Sequence, residues 1–254
     1  MDPAEKICTL LTSFLKLPFV TDAVPGRIVE AIIGNVYGAP VLNTYDYVDV
    51  VIQGSHGWQV KSTKNSTPLT WKRAKILGKQ NLIEESLRSE EGMAALGAAI
   101  IAFCNQHAVE SLEKYRLQKI FYSRCILFDT HVQYFERLLC TSSKPQIFDA
   151  NEYIWKWSIA KKTTGKEQLS ALHGIDRITG KKVWAWHGLG ENQLHFSGES
   201  LWWNDPENLI SFQVPLPSET EQVSFESFVD YLLEISGNEP RIADIRSGGT
   251  ALPN

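Results

Sequence analysis

The sequence holds only four cysteines, Cys8, Cys104, Cys125 and Cys140, and no C-x-x-C pair. Thiolate spacing for a structural zinc site is therefore missing, and four scattered cysteines in 254 residues do not make a disulfide framework. Cys104 and Cys125 lie in apolar runs and are expected to be buried thiols, which points to a reducing cytoplasm. No run approaches the roughly 18 consecutive apolar residues of a membrane span. The first residues, MDPAEKICTLLTSFLKLPF, start acidic and lack a small-residue cleavage site, so they are expected to form an amphipathic helix and not a signal peptide. No G-x-x-x-x-G-K-[ST] loop is present, which argues against nucleotide-driven chemistry of that kind. Internal repeats and low-complexity tracts are also missing.

The net charge is −4, which by itself does not suggest a nucleic-acid partner, but the basic residues are not evenly spread. From Lys61 to Lys79 there are six (Lys61, Lys64, Lys72, Arg73, Lys75, Lys79) and no acid. From Lys156 to His187 there are seven, against Glu167 and Asp176. Two basic zones in an acidic chain are what a phosphate-binding cleft leaves in sequence, although each also reads as ordinary solvated surface.

Apolar spacing predicts a helix over residues 4–16 and a second one from Pro25 to Gly38-Ala39-Pro40. VLNTYDYVDVVIQ and WQVKST read as a hairpin around Gly54–Gly57, residues 83–107 as one long helix, and KIFYSRCILF as a buried strand. After Ala150 come short strands, among them LHFSGESLWW, carrying six of the eight tryptophans, and then a helix, SFESFVDYLLEIS, with a Gly/Pro-rich tail. The expected fold is an α/β (α+β) protein with a mixed central sheet flanked by helices and a β-rich C-terminal region.

Glu30 to Lys64 carries the chemistry. Asp49 sits in an apolar stretch, YDYVDVVI, where an acid needs a reason. Gln59-Val60-Lys61 follows ten residues later, and in a strand Gln59 and Lys61 share one face. The hairpin would bring Asp49 beside them, and Glu30 can pack over the same end of the sheet. These types suit Mg²⁺: Asp49 as main ligand, the Gln59 oxygen and the Val60 carbonyl beside it, and Lys61 to orient the attacking water or stabilise developing charge. A buried Asp–Lys pair in a sheet is the plain alternative, and Asp46 competes with Asp49 for the ligand role.

On these residues the chain resembles the PD-(D/E)xK nuclease superfamily, in its QxK form: Glu30 in PGRIVEAIIG, Asp49 in YVDVVI, Gln59 and Lys61 in WQVKST. Gln departs from the name-giving pattern, as it does in methyl-directed restriction enzymes and some resolvases, and no proline precedes Asp49. The resemblance covers roughly residues 24–127. It implies a restriction-endonuclease-like core in residues 1–149, with Asp49, Gln59, Lys61 and Glu30 catalytic and Asp49, Gln59 and Val60 on Mg²⁺. Residues 150–254 are then the DNA-recognition region. The implied function is a type II restriction endonuclease acting on double-stranded DNA, by analogy a homodimer. A repair or junction-resolving nuclease and a DNA-binding protein with a decayed core are the alternatives.

Expected DNA contacts are Thr63, Lys64, Lys72 and Arg73 after the hairpin, and Lys161, Lys162, Lys181 and Lys182 with Asn192 and Gln193 further on. Lys161, Lys162, Arg177, Lys181 and Lys182 with Trp184 and Trp186 read as a ribbon for a DNA groove, or the alternating tryptophans as a packed sheet face. His173 and His187 have no ligand neighbour at zinc spacing.

Overall fold

The computed structural model describes residues 1–19, 23–43, 46–73, 76, 78–163, 166–189 and 192–236. Its first two elements are amphipathic helices. In α1 (Pro3–Leu15) the Asp2 carboxylate accepts the Ala4 N–H while Glu5 accepts the Asp2 N–H, and Ile7, Leu11 and Leu15 are buried. α2 (Gly26–Tyr37) starts after Pro25 and stops at Gly38, whose φ of 64° is a left-handed position that a side chain would strain.

The expected hairpin follows as β1 (Val50–Ile52) and β2 (His56–Lys64), antiparallel with Val50 opposite Trp58. It differs in detail: β2 already begins at His56, and Asp49 stands just before β1 instead of inside it. A short strand, β3 (Thr70–Arg73), comes next. The long helix expected over residues 83–107 is two helices, α3 (Lys79–Ser86) and α4 (Glu90–Lys114). The break has a local cause: the Ser89 hydroxyl accepts the Gly92 N–H at 2.9 Å and starts a new helix there.

α4 is long and apolar enough to cross a membrane by length and composition, yet its Leu96, Ile100, Ile101, Cys104 and Leu112 are buried in the protein core. Truncating such a side chain costs about 2–5 kcal/mol. Gly97 lets the helix come close to Trp155, because a Cβ there would stand 2.3 Å from the indole ring.

The rest of the chain is mainly strands: β4 (Lys119–Leu127), β5 (His131–Thr141), β6 (Tyr153–Trp157), β7 (Lys161–Thr163), β8 (Lys166–Gln168), β9 (Leu172–Asp176), β10 (Lys182–Trp186), β11 (Gln193–Phe196) and β12 (Ile210–Pro215). LHFSGESLWW, expected among the short strands with Gly-containing turns, supplies only β11 before Gly198–Trp202 turns into a 3₁₀ helix. α5 (Phe225–Ser236) closes the described chain.

Among the described residues this is an α+β protein of five helices and two five-strand sheets, with β7 and β8 as a separate pair. The first sheet runs β1-β2-β4-β5-β12 and is mixed, with β2 and β4 parallel. The second, β3-β11-β10-β9-β6, is antiparallel. The two halves exchange strands: β3 joins the second sheet, and β12 pairs with β5 in the first.

Strand alternation sorts the core. Trp58, Val60, Phe121 and Cys125 pack with α1 and α2, while Ile120, Tyr122, Ile126 and Phe135 pack with α4 and the second sheet. Gln59 and Lys61 alternate with Trp58 and Val60 and so belong to the second face. Trp155, Trp184 and Trp186 are buried in the core beside α4, so the tryptophan pattern is a packed sheet face and not a DNA-entering ribbon. All four cysteines are free, and burial pushes the Cys104, Cys125 and Cys140 thiols up to about 12.

Candidate metal centre

β1 ends its pairing one residue too early for β2, and Asp49 fills the gap. Its backbone N–H donates to the Trp58 carbonyl at 2.8 Å, and its Oδ2 accepts the Val60 N–H at 2.7 Å. The carboxylate thus takes the place of the next ladder bond. In a strand the carbonyl of a residue points the same way as its N–H, so the Val60 carbonyl faces this same edge. Burial raises the Asp49 carboxyl to about 6, more than the Val60 hydrogen bond and the nearby Lys61 charge can offset, and Glu30 adds to the rise.

Gln59 and Lys61 are neighbours on the opposite face from Val60. Gln59 is 2% exposed, and its Oε1 has no hydrogen-bond partner. An unpaired buried amide oxygen costs about 1–3 kcal/mol, so its retention at this place needs an explanation. Burial holds Lys61 below the usual lysine range; Asp49 pulls the other way, the Arg124 charge adds to the depression, and Glu199 and Glu30 oppose it. Glu30 is held from α2 by Arg27 at 2.8 Å, and Arg27 also donates to the Leu42 carbonyl and to Asn43.

Among the described residues no group of three or more His, Cys, Asp or Glu side chains gathers to hold a metal. That excludes a carboxylate-rich or imidazole-rich cage there, and it leaves the donor set that Mg²⁺ accepts: one or two carboxylates with neutral oxygens and water. In donor type Asp49, Gln59 Oε1 and the Val60 carbonyl match such a set, and Gln59 Oε1 is buried without a hydrogen-bond partner.

Asp46 is occupied elsewhere. Its carboxylate accepts two hydrogen bonds from Lys114, at 3.0 and 2.9 Å, and one from the Tyr115 hydroxyl at 2.6 Å. Asp46→Asn is therefore expected to leave the Mg²⁺ affinity of the chain unchanged, as measured by calorimetric titration, whereas a loss of binding would transfer the ligand role to Asp46.

Sequence reasoning missed the charged pair behind Lys61. Arg124 stands beside Lys61 in the parallel β2–β4 register and is 1% exposed. Its Nε donates to both Glu199 oxygens at 3.0 and 2.9 Å, its Nη1 to the Cys125 carbonyl, and its Nη2 to Thr63 Oγ1 at 2.8 Å. Tyr122 donates to Glu199 at 2.5 Å. Breaking such a buried pair from one side typically costs about 3–5 kcal/mol. The only signal in sequence was Arg124 inside an otherwise apolar strand; Glu199 comes from 75 residues further on and carries no local mark.

The expected DNA contacts scatter. Thr63 is engaged by Arg124 and donates to the Lys64 carbonyl, and Lys64 ends β2. Lys72 lies over the Tyr47 ring, 5.8 Å from its centroid, and burial, followed by the Lys61 charge, lowers its pKa. Arg73 is opposite Gln193 in the β3–β11 register, so one member of each basic or polar set meets in the second sheet. Gln193 Oε1 is 3.0 Å from His195 Nε2. Asn192 has a φ of 54° and its N–H donates to the His187 carbonyl, a turn role that suits asparagine. Lys181 and Lys182 are exposed at the β9–β10 turn. The Lys161 and Lys162 side chains and Lys75 lie outside the described residues. No family model, curated protein or solved structure matches this chain.

Proposed function

We propose that the chain is a Mg²⁺-dependent endodeoxyribonuclease of the PD-(D/E)xK type, most simply a type II restriction endonuclease acting as a homodimer on duplex DNA. The observation that carries the reading is the buried, unpartnered Gln59 oxygen two residues before Lys61, on the strand whose Val60 N–H is held by Asp49.

When bound, Mg²⁺ supplies Lewis-acid polarisation of a phosphate oxygen and a more acidic attacking water. Asp49, Gln59 and the Val60 carbonyl would hold it. Lys61, largely buried and free of any ion pair within 4 Å among the described residues, is available to hydrogen-bond the attacking water or the non-bridging oxygen as charge develops there. Burial keeps that cation poorly solvated, so its field on the phosphate is stronger than at the surface.

The proton and the metal compete for Asp49, whose carboxyl lies at about 6. At limiting Mg²⁺, cleavage is expected to rise as pH climbs through 6 and to level off above it; a rate already flat from pH 5 would remove Asp49 from the metal. Sequencing the ends produced from a long duplex separates the variants of this reading. Ends at one short sequence support the restriction enzyme, and ends only at branches or mismatches support a junction or repair nuclease.

A further inference from the structure

The outward face of the second sheet carries a feature that the metal centre does not use. Trp184 and Trp186 point into the core, so Ala185 between them points out. Its cross-strand partners are His173 on β9 and His195 on β11, and His187 lies two residues along the chain on the same face. The His187 and His195 rings are 5.0 Å apart. A methyl group among three imidazoles leaves a depression, which opens into a cavity of about 610 Å³ with Lys182 and Trp203 on its walls. Arg124 and Glu199 line it as well, so it reaches the pair that stands beside Lys61.

Its volume is in the range of single small-molecule sites, roughly 300–1,000 Å³. Glu199 is the only carboxylate among the described residues lining it, and Arg124 and Tyr122 already hydrogen-bond that group. With Lys182 on the wall, the cavity favours an anion. Burial, followed by the neighbouring Lys182 and His187, holds His173 below its usual value, which favours the neutral ring with one donor and one acceptor nitrogen. A phosphate needs the cation, and a heteroaromatic ring edge needs paired donors and acceptors. A nucleotide has both.

We infer that this cavity holds one nucleotide, its base among His173, His187 and His195 over Ala185 and its phosphate toward Lys182. Two sources share that chemistry, a free mononucleotide and a nucleotide turned out of a duplex at a cost of a few kcal/mol. The binding itself goes beyond the nuclease reading and needs no cleavage.

The test has two arms, both on the full chain without divalent metal. Calorimetric titration with each of the four deoxynucleoside monophosphates reads the free ligand. Fluorescence of duplexes carrying one 2-aminopurine reads a base leaving the stack. Saturable one-to-one binding in either arm is expected, weakened about tenfold or more by Ala185→Leu, which fills the depression, and by His187→Ala, which removes a base contact. If Ala185→Leu does not fold, His187→Ala alone decides. A signal in the first arm only assigns a free nucleotide, and a signal in the second only assigns DNA. Silence in both arms, or binding that both folded variants leave unchanged, overturns the inference. Asp49→Asn is expected to keep nucleotide binding, so failure of the nuclease reading leaves this result standing, and the reverse also holds.

Discussion

Replacing Asp49 by Asn is expected to remove Mg²⁺-dependent cleavage and at the same time to raise the melting temperature at pH 8. The two effects have one cause. Burial lifts the Asp49 carboxyl from its ordinary 3.8 to about 6, so the folded state holds this proton more tightly than the unfolded chain does. Stability from this group is therefore full below the ordinary value and falls as pH rises toward 6, by about 3 kcal/mol in total. Above pH 6 the ionised carboxylate is a cost that the fold carries without metal. Asparagine keeps an oxygen to accept the Val60 N–H and carries no charge, so it relieves that cost. A gain of several degrees at pH 8 should shrink by about half at pH 5 and disappear only below the ordinary value, where the carboxyl is protonated in both the folded and the unfolded chain. Mg²⁺ should reverse the order. It stabilises the native chain by about 2.7 kcal/mol at a hundredfold excess over its Kd, and it leaves the variant unmoved. Thermal melts at the two pH values, with and without Mg²⁺, read all of this. A variant less stable than the native chain at pH 8 would mean that Asp49 serves the fold and not a ligand.

Lys61→Met separates holding the metal from using it. Methionine keeps much of the length and apolar stem of lysine, and the strand position is lined by packed neighbours. The ammonium is the part that is lost. Cleavage is expected to fall by about 10²–10³-fold or more, the usual cost of removing one preorganised donor at a reacting centre. The Mg²⁺-induced rise in melting temperature should survive, because Asp49, Gln59 and the Val60 carbonyl remain. Single-turnover cleavage at saturating Mg²⁺, set beside the melt, separates the two roles. If the variant loses the Mg²⁺ shift together with cleavage, Lys61 acts by holding the metal ligands in position.

How far these residues could be read from sequence follows from the range of the interactions involved. The β1–β2 hairpin and the sharing of a face by Gln59 and Lys61 are local: period-two alternation and a glycine-containing turn set them, and both were legible. So were α1 and α2, whose start and stop residues, Asp2 and Glu5 for the first and Pro25 and Gly38 for the second, lie in or next to the helices themselves. The break between α3 and α4 was missed because one Ser–Gly hydrogen bond at Ser89 outweighs an apolar pattern that continues across it. The position of Asp49 outside the strand, standing in for a ladder acceptor, depends on where pairing stops, which alternation does not encode. Longer-range features were not legible at all. β3 leaves its sequence neighbours for the second sheet, and Glu199 reaches Arg124 across 75 residues. The three histidines meet only because β9, β10 and β11 pair in this register.

Supercoiled plasmid gives the plainest reading of phosphodiester hydrolysis that depends on Asp49. Native chain and Asp49→Asn, purified side by side, are incubated with plasmid at pH 8 in Mg²⁺ and in EDTA, and the products are resolved on a gel. The native chain in Mg²⁺ should give nicked, linear or discrete shorter DNA, while its EDTA lane and both lanes of the variant stay supercoiled. Intact plasmid with the native chain in Mg²⁺, or equal cutting by the two proteins, would contradict the account.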